Sequence, residues 1–336
     1  MKKKMSKKLK IFLSILGVIL TFFIVVNICP GKKVMDNNPF IATKEQKVMI
    51  AAHRGGAEVN PENTFLAFDN AINDYKVDIL ELDLCMTLDG YLVANHNLDI
   101  NDVSDVQIDN YLISEHTLSE LSYFNFGYNF KDLNGNYPYR NILIDNNVSE
   151  ENRVSFLKEN KLTVATINEI FDKYDDLGIK FILEIKDGGE LGKKAADELY
   201  KQMKTYNMFE KVIIGSFDPE IEGYIKDNYP NLYRGGSVAT SAVFIATEIL
   251  KVNPLASMSI TALQIPMEFD ITDNFSLKLD KKAYIRRAHR RNISVQFWTI
   301  DNVNDMRHLI ELGVDVIMTD RPDLLYTLLK DEYNCR

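Results

Sequence analysis

Residues capable of acid–base and metal chemistry lie at the ends of several apolar segments of this 336-residue chain: His53, Arg54, Glu81, Asp83, His96, Glu184 and Lys186. Carboxylates that share a protein interior repel one another and lose hydration unless a cation compensates them. All-oxygen ligation suits Mg²⁺ or Ca²⁺ better than zinc. Two histidines suit acid–base catalysis near neutral pH, and an arginine with a lysine suits an anionic group. The set therefore predicts metal-assisted chemistry on a phosphoester.

Each of these residues also has an ordinary structural explanation. A histidine at a strand end is usually a satisfied polar residue, and a glutamate can simply pair with a nearby lysine. An alternating acid pair can be the exposed face of an edge strand. These explanations fit each residue alone better than they fit the set, because inward-facing acids on two strands would need compensation.

Short segments rich in β-branched residues alternate with helical segments, and this predicts a parallel sheet covered by helices. The predicted strands are residues 48–53, 79–85, 91–96, 181–186, 212–217, 232–238, 262–266, 294–299 and 314–320. The second and third are separated only by MTLDG, too short for a parallel crossover, so they must form an antiparallel hairpin.

The hairpin turn is predicted at Asp89-Gly90, a strong two-residue turn signal. That register sets Asp83 opposite His96, with Glu81 on the same face. Without the return strand, eight parallel strands remain, and they predict a TIM (β/α)8 barrel over residues 47–330. An insertion at about 97–166 follows strand 2; it is either a lid or pocket wall, or a surface loop with its own small core.

The N-terminus has the pattern of a membrane anchor. Six lysines lie within residues 1–10, and residues 11–29 carry no charge, which is enough apolar chain for a spanning helix. A buried core helix and a cleaved signal peptide are the alternatives, but no A-x-A cleavage site follows. The lysines predict a cytoplasmic basic segment at 1–10 and an extracytoplasmic body, joined to the anchor by a linker at 30–46.

The charge balance of the body argues against nucleic-acid binding. Without its six N-terminal lysines the chain has 33 basic and 48 acidic residues, and phosphate backbones select for basic surfaces. The three cysteines, Cys29, Cys85 and Cys335, indicate neither a disulfide framework nor a zinc site.

The chain resembles the glycerophosphodiester phosphodiesterase family, as a membrane-anchored member. The resemblance covers residues 50–325 and rests on nine motifs in the family's order: His53-Arg54-Gly55, Pro61-Glu62-Asn63-Thr64, Glu81-x-Asp83, Thr87-x-Asp89-Gly90, His96, Glu184-x-Lys186, Ser216-Phe217, Trp298-Thr299 and GVDVIMTDRP (313–322). It implies a TIM barrel of the PLC-like phosphodiesterase type. It also implies one divalent cation, Ca²⁺ or Mg²⁺, and hydrolysis of glycerophosphodiesters to sn-glycerol 3-phosphate and an alcohol.

The resemblance also implies roles for individual residues. The implied metal ligands are Glu81, Asp83 and Glu184; the acid–base pair is His53 and His96; the phosphate contacts are Arg54 and Lys186; and the supporting residues are Glu62, Asn63 and Trp298. Glu62 and Asn63 are expected to reach the metal or to hold His53. Which histidine is the acid and which the base stays open.

The sequence departs from the family in three places. Asn97 stands where an aspartate usually follows the second histidine, NLDINDVSD replaces the usual Arg-Thr run, and VATINEIF lacks the usual proline. The insertion resembles that of the longer family members, which implies a substrate larger than the smallest glycerophosphodiesters. A lysophospholipid or a glycerol-phosphate polymer of a cell envelope is the alternative substrate, and a non-catalytic binding barrel is the alternative to an enzyme.

Overall fold

The computed structural model of the protein describes residues 5–272 and 275–336. The strands are β1 Met49–Ala52, β2 Ile79–Met86, β3 Leu92–Ala94, β4 Lys180–Ile185, β5 Val212–Gly215, β6 Tyr233–Arg234, β7 Ala262–Ile265, β8 Glu268–Thr272, β9 Phe275–Lys278, β10 Ser294–Phe297 and β11 Val316–Thr319. The helices are α1 Lys7–Ile28, α2 Phe65–Asn73, α3 Leu118–Leu121, α4 Ile142–Asp145, α5 Arg153–Glu159, α6 Ile167–Tyr174, α7 Gly189–Thr205, α8 Pro219–Asn228, α9 Val238–Ile249, α10 Lys282–Arg290, α11 Val303–Leu312 and α12 Pro322–Asp331.

Eight parallel strands form the predicted barrel. Their order is β6-β5-β4-β2-β1-β11-β10-β7, and a parallel bridge between Gly235 and Ala262 joins the two ends of the sheet. The helices that follow the strands cover the outside through a continuous apolar core. The TIM-barrel prediction is confirmed, because each predicted parallel segment overlaps one of these strands.

The barrel interior is closed at its amino-terminal end by Phe40. This side chain is fully buried and packs with Met49 and Ala262, the first residues of β1 and β7. The hydroxyl of Ser294, at the start of β10, donates to the Phe40 carbonyl at 2.6 Å, and the buried Asn38 amide donates to the Thr261 carbonyl at 2.8 Å. Part of the predicted linker is therefore packed into the barrel.

The hairpin between β2 and β3 is present, but its predicted register was wrong by one residue. Leu84 pairs with Ala94, and the turn is a three-residue loop closed by a hydrogen bond from Thr87 N to Tyr91 O. Gly90 takes a left-handed φ of 87°, which suits such a loop. His96 therefore lies beyond the end of the ladder rather than opposite Asp83.

The insertion builds a small core of its own against β2 and β3, on the face of β2 that also carries Glu81 and Asp83. Cys85 and Val93 pack there with Ile113, Leu121 and Phe126. Within the described chain, the insertion residues 97–166 do not line the main cavity. The segment has the small core that one expectation named, and its residues Asp102, Phe126 and Asn129 also line a second, smaller pocket beside Glu62.

Two features were not predicted from the sequence. Strands β8 and β9 form a separate antiparallel hairpin after β7. The carboxyl end of α1 is attached to the barrel: the Asn27 side chain donates to the Lys251 carbonyl at 2.9 Å, and Arg290 of α10 donates to the Asn27 carbonyl at 3.0 Å. Helix α1 is long and apolar enough to span a membrane or to be a signal sequence.

Candidate active site

A cavity of about 570 Å³ lies at the carboxyl ends of the barrel strands. Eight of the predicted site residues line it: His53, Arg54, Glu81, Asp83, His96, Glu184, Lys186 and Trp298. The parallel alignment of the strands explains this convergence, since their carboxyl ends meet at one face of a barrel.

Glu81, Asp83 and Glu184 form a compact acidic cluster. One oxygen atom of each lies within 4.8 Å of the others. The parallel pairing of β2 with β4 sets Asp83 beside Glu184, and strand alternation keeps Glu81 on the same face. Burial, followed by the charge of Asp83, raises the pKa of Glu81, and burial raises that of Glu184. The cluster is therefore costly to ionise without a cation.

Arg54 and Lys186 lie against these carboxylates. Lys186 Nζ is 2.8 Å from Glu184 Oε1 and 3.4 Å from Asp83 Oδ1. Arg54 Nε is 3.3 Å from Asp83 Oδ2, and its backbone N–H donates to Glu81 at 2.9 Å. Arg54 adopts a left-handed φ of 52°, a strained conformation of the kind that concentrates at functional sites.

His53 is paired with an acidic residue that the sequence did not single out. Its Nδ1–H donates to Asp320 Oδ1 at 2.7 Å, while its Nε2 lies 3.9 Å from Glu81 Oε2. Burial lowers the pKa of His53, but the charges of Glu81 and Asp320 outweigh it and raise the value to about 9. Asp320 directly follows β11, so its place at the end of the last barrel strand was the available signal.

His96 has a different partner. Its Nδ1–H donates to the Asn97 amide oxygen at 2.9 Å, and the Asn97 amide group donates to Asp102 at 2.6 Å. Burial lowers the pKa of His96, and the nearby charge of Asp83 only partly opposes this. The two histidines thus differ in their preferred protonation state.

Glu62 and Asn63 lie behind the cluster. Glu62 accepts from Arg54 Nη1 at 3.3 Å, and the buried Asn63 amide donates to Asp83 Oδ2 at 3.5 Å. Asn63 Oδ1 has no hydrogen-bond partner among the described residues. The side-chain hydrogen bond of His53 goes to Asp320, so Glu62 and Asn63 hold Arg54 and Asp83 instead.

A family model described as the glycerophosphoryl diester phosphodiesterase family matches residues 53–324. The chain belongs to this family. It is therefore an enzyme, a phosphoric diester hydrolase with a glycerophosphodiester phosphodiesterase barrel.

Individual relatives align with this chain over most of their length. A glycerophosphodiester phosphodiesterase of Caldanaerobacter subterraneus is 26% identical, with 84% of this chain and 98% of the relative covered. A lysophospholipase D of Homo sapiens is 25% identical, with 83% of this chain and 85% of the relative covered. The fold matches a phosphodiesterase of Oleispira antarctica, solved with sn-glycerol-3-phosphate, at a TM-score of 0.59 and 19% identity, with 84% and 97% covered.

Proposed function

We propose that this family member is a membrane-anchored, metal-dependent glycerophosphodiester phosphodiesterase that releases sn-glycerol 3-phosphate and an alcohol. The observation that carries the proposal is the cluster of three carboxylates beside His53 and His96 in one cavity. The product named for the Oleispira antarctica structure supports the identity of the phosphate product.

The acidic cluster suits a hard divalent cation, Ca²⁺ or Mg²⁺. Glu81, Asp83 and Glu184 would hold it, and the unpartnered Asn63 Oδ1 beside Asp83 offers a further neutral oxygen. When bound, such an ion would supply positive charge that polarises the phosphoryl oxygens. Arg54 and Lys186, which now pair with the carboxylates, would hold the remaining negative charge of the phosphate.

The partners of the two histidines support a division of roles. His53 faces the Asp320 carboxylate, which stabilises an imidazolium, so His53 is assigned as the acid that protonates the departing alkoxide. His96 faces a neutral amide and stays uncharged, so it is assigned as the base that takes the proton of the attacking hydroxyl. The hydroxyl oxygen that loses its proton to His96 bonds to phosphorus, and the bond between phosphorus and the alcohol oxygen breaks.

Helix α1 is assigned as the membrane anchor. Its length and apolarity, together with the lysines in residues 1–10, support a cytoplasmic amino terminus and a barrel at the outer face of the membrane.

The test uses the full chain in detergent micelles. It is incubated with glycerophosphocholine, glycerophosphoethanolamine or glycerophosphoglycerol in Ca²⁺, Mg²⁺ or EDTA, and sn-glycerol 3-phosphate is measured. Release should depend on the metal, and His53→Ala and His96→Ala should each lower kcat by about a hundredfold or more. His308→Ala, whose side chain pairs with Asp280 at the surface, is the matched control. Near-normal turnover in either site variant would contradict its assigned role.

A further inference from the structure

The carboxyl end of α1 is capped by side chains of the barrel. The last carbonyl groups of a helix have no partner within the helix and carry partial negative charge. Arg287 of α10 donates to the Cys29 carbonyl at 3.4 Å, and Arg290 donates to the Asn27 carbonyl at 3.0 Å. Arg287 also donates to the Asn27 side chain at 3.0 Å. The barrel thus supplies the partners that this helix end lacks.

The capping arginines are themselves fixed in the barrel. Arg287 is buried, and its Nε lies 2.9 Å from Glu248 Oε2 of α9. Arg291, which directly follows α10, is also buried and donates to the Lys32 carbonyl at 3.3 Å. Residues 27–32 are therefore held against α9 and α10 rather than forming a loose tether between the helix and the barrel.

The length of α1 sets the level at which this junction lies in a membrane. The uncharged residues 11–29 span about 28 Å as a helix, and the hydrocarbon core of a bilayer is about 30 Å thick. Crossing the core needs the whole run, so Ile28 lies at the boundary between the acyl chains and the headgroups. Barrel residues beside the end of α1 must lie at the same level, because the junction is capped and short.

Three exposed apolar side chains of the barrel lie beside this end of α1. Helix α9 ends at Ile249, which is 51% exposed, and Leu250 is 64% exposed. Leu255 is 65% exposed and ends a short 3-10 turn that contacts both α1 and α9. The Lys251 carbonyl between them accepts the hydrogen bond from Asn27. We call Ile249, Leu250 and Leu255 the junction patch.

The stretches that meet at the junction patch are basic, although the body of the chain is acidic. Residues 28–35 and 249–256 contain three lysines and no acidic residue, whereas the body has 33 basic and 48 acidic residues. Lys251 lies 3.1 Å from Glu248, and both lysines of the first stretch are exposed. Lysines next to exposed apolar side chains suit the surface of an anionic leaflet, which attracts the charge and accepts the apolar groups.

We propose that the junction patch is a second membrane contact, whose three side chains lie in the headgroup region of an anionic phospholipid leaflet and hold the barrel in one orientation on the membrane. The inference rests on the proposed membrane anchor and adds a surface of the barrel to it. Apolar side chains at such an interface lie about 5–10 Å into the boundary between headgroups and acyl chains.

The experiment maps lipid contact in the full chain, reconstituted in nanodiscs of phosphatidylcholine and phosphatidylglycerol. Cys29→Ser and Cys335→Ser leave only the buried Cys85, and a single cysteine placed at Leu250 or Leu255 is labelled with the environment-sensitive dye NBD. Fluorescence is compared with and without lipids that carry a nitroxide quencher at the top of an acyl chain.

Ile108→Cys is the matched control. Ile108 is an exposed apolar residue of the insertion, at 65% exposure. The insertion packs against β2, which lies three strands away from β6 in the barrel order, so this position faces away from α9.

The dye at Leu250 and Leu255 should be quenched by at least about half, and the dye at Ile108 by less than about a tenth, because only the junction patch reaches the leaflet. Replacing phosphatidylglycerol with phosphatidylcholine should lower the quenching at Leu255 about twofold, as should Lys32→Gln/Lys33→Gln. Quenching that is unaffected by either change would overturn the assignment to an anionic leaflet.

Leu20→Cys, in the middle of α1, reports on the anchor separately, with the nitroxide near the end of the acyl chain. Quenching at Leu20 with no more quenching at Leu250 and Leu255 than at Ile108 would overturn the junction patch and leave the proposed anchor standing. No quenching at Leu20 would overturn the proposed anchor and the junction patch with it.

A second copy of the chain is the other occupant that the experiment distinguishes. NBD emission at Leu255 that is shifted to shorter wavelength but insensitive to the nitroxide lipids would place a protein surface on the junction patch. That result would also overturn the membrane contact.

Discussion

His53 Nδ1 lies 2.7 Å from Asp320 Oδ1, although the two residues stand at opposite ends of the barrel sequence. They meet because β1 and β11 are neighbouring parallel strands. The carboxylate fixes the ring so that Nε2 faces the cavity, and its charge favours the imidazolium. In the proposed mechanism Asp320, together with Glu81, favours the protonated form that His53 needs as an acid.

Replacing Asp320 with Asn should move the alkaline limb of the pH–rate profile to lower pH. In the proposed mechanism activity requires protonated His53 and is lost as pH rises through its pKa, which the charges of Glu81 and Asp320 raise above the ordinary histidine value. Asp320→Asn removes one of the two charges that raise this pKa and leaves that of Glu81 in place. The measurement is kcat/KM across the neutral and alkaline range, with the exposed Asp331→Asn as control. An alkaline limb that stays in place would refute the role of Asp320.

Exchanging the hydrogen-bond partner of His96 should move the acidic limb of the pH–rate profile. In the proposed mechanism His96 acts as a base and must be unprotonated, so activity is lost as pH falls through its pKa, which burial holds below the ordinary histidine value. In the double variant Asn97→Asp/Asp102→Asn the carboxylate and amide exchange places and their mutual hydrogen bond is retained. A charge beside His96 should raise its pKa and shift the acidic limb to higher pH.

The Asp102→Asn single variant is the control for this exchange, because it keeps Asn97 beside the ring. It should leave the acidic limb close to that of the wild type. If the double variant also leaves this limb in place, Asn97 does not tune His96, and the departure from the family at this position has no effect on catalysis.

The sequence predicted the barrel and the cavity residues because both depend on local patterns. Strand alternation sets which side chains share a face, and parallel pairing brings the carboxyl ends of the strands together. These two rules are enough to predict that Asp83 and Glu184 lie in the same cavity. The hairpin register was wrong because Asp89-Gly90 suits both a two-residue and a three-residue loop, and local sequence alone does not choose between them.

The features that the sequence missed depend on contacts between distant segments. Asp320 was visible as a strand-end acid, but its pairing with His53 spans nearly the whole barrel. Phe40 lies in a stretch with the composition of a linker, and only the space at the end of the barrel makes it a core residue. The β8–β9 hairpin lies outside the barrel strand order.

Glu81→Gln should reveal the metal without any activity assay. In the wild type, Ca²⁺ or Mg²⁺ should raise the free energy of unfolding by about 2.7 kcal/mol at a hundred times Kd. Glu81→Gln should abolish most of this increase. Without metal it should be more stable than the wild type at neutral pH, because burial and Asp83 raise the pKa of Glu81 and make its ionised form unfavourable.

The pH dependence gives this prediction a second readout. A carboxyl group whose pKa is raised by folding destabilises the fold as pH rises above its unfolded pKa. The metal-free wild type should therefore lose stability with rising pH relative to Glu81→Gln, as measured by thermal unfolding in EDTA. The exposed Glu268→Gln is the control and should follow the wild type. A metal-induced increase that survives in Glu81→Gln would exclude Glu81 as a ligand.

Phe40→Ala should destabilise the barrel by about 3 to 5 kcal/mol, the usual cost of removing a buried aromatic ring. The ring is fully buried against the first residues of β1 and β7, which are fixed by their strands and cannot collapse into the space. Urea unfolding of the chain from residue 31 onward measures the effect, with the exposed Ile108→Ala as control. A chain starting at residue 47 lacks Phe40 and Asn38 and should lose at least as much stability. If neither Phe40→Ala nor the start at residue 47 lowers the urea midpoint of unfolding, the amino-terminal end of the barrel is closed by other side chains.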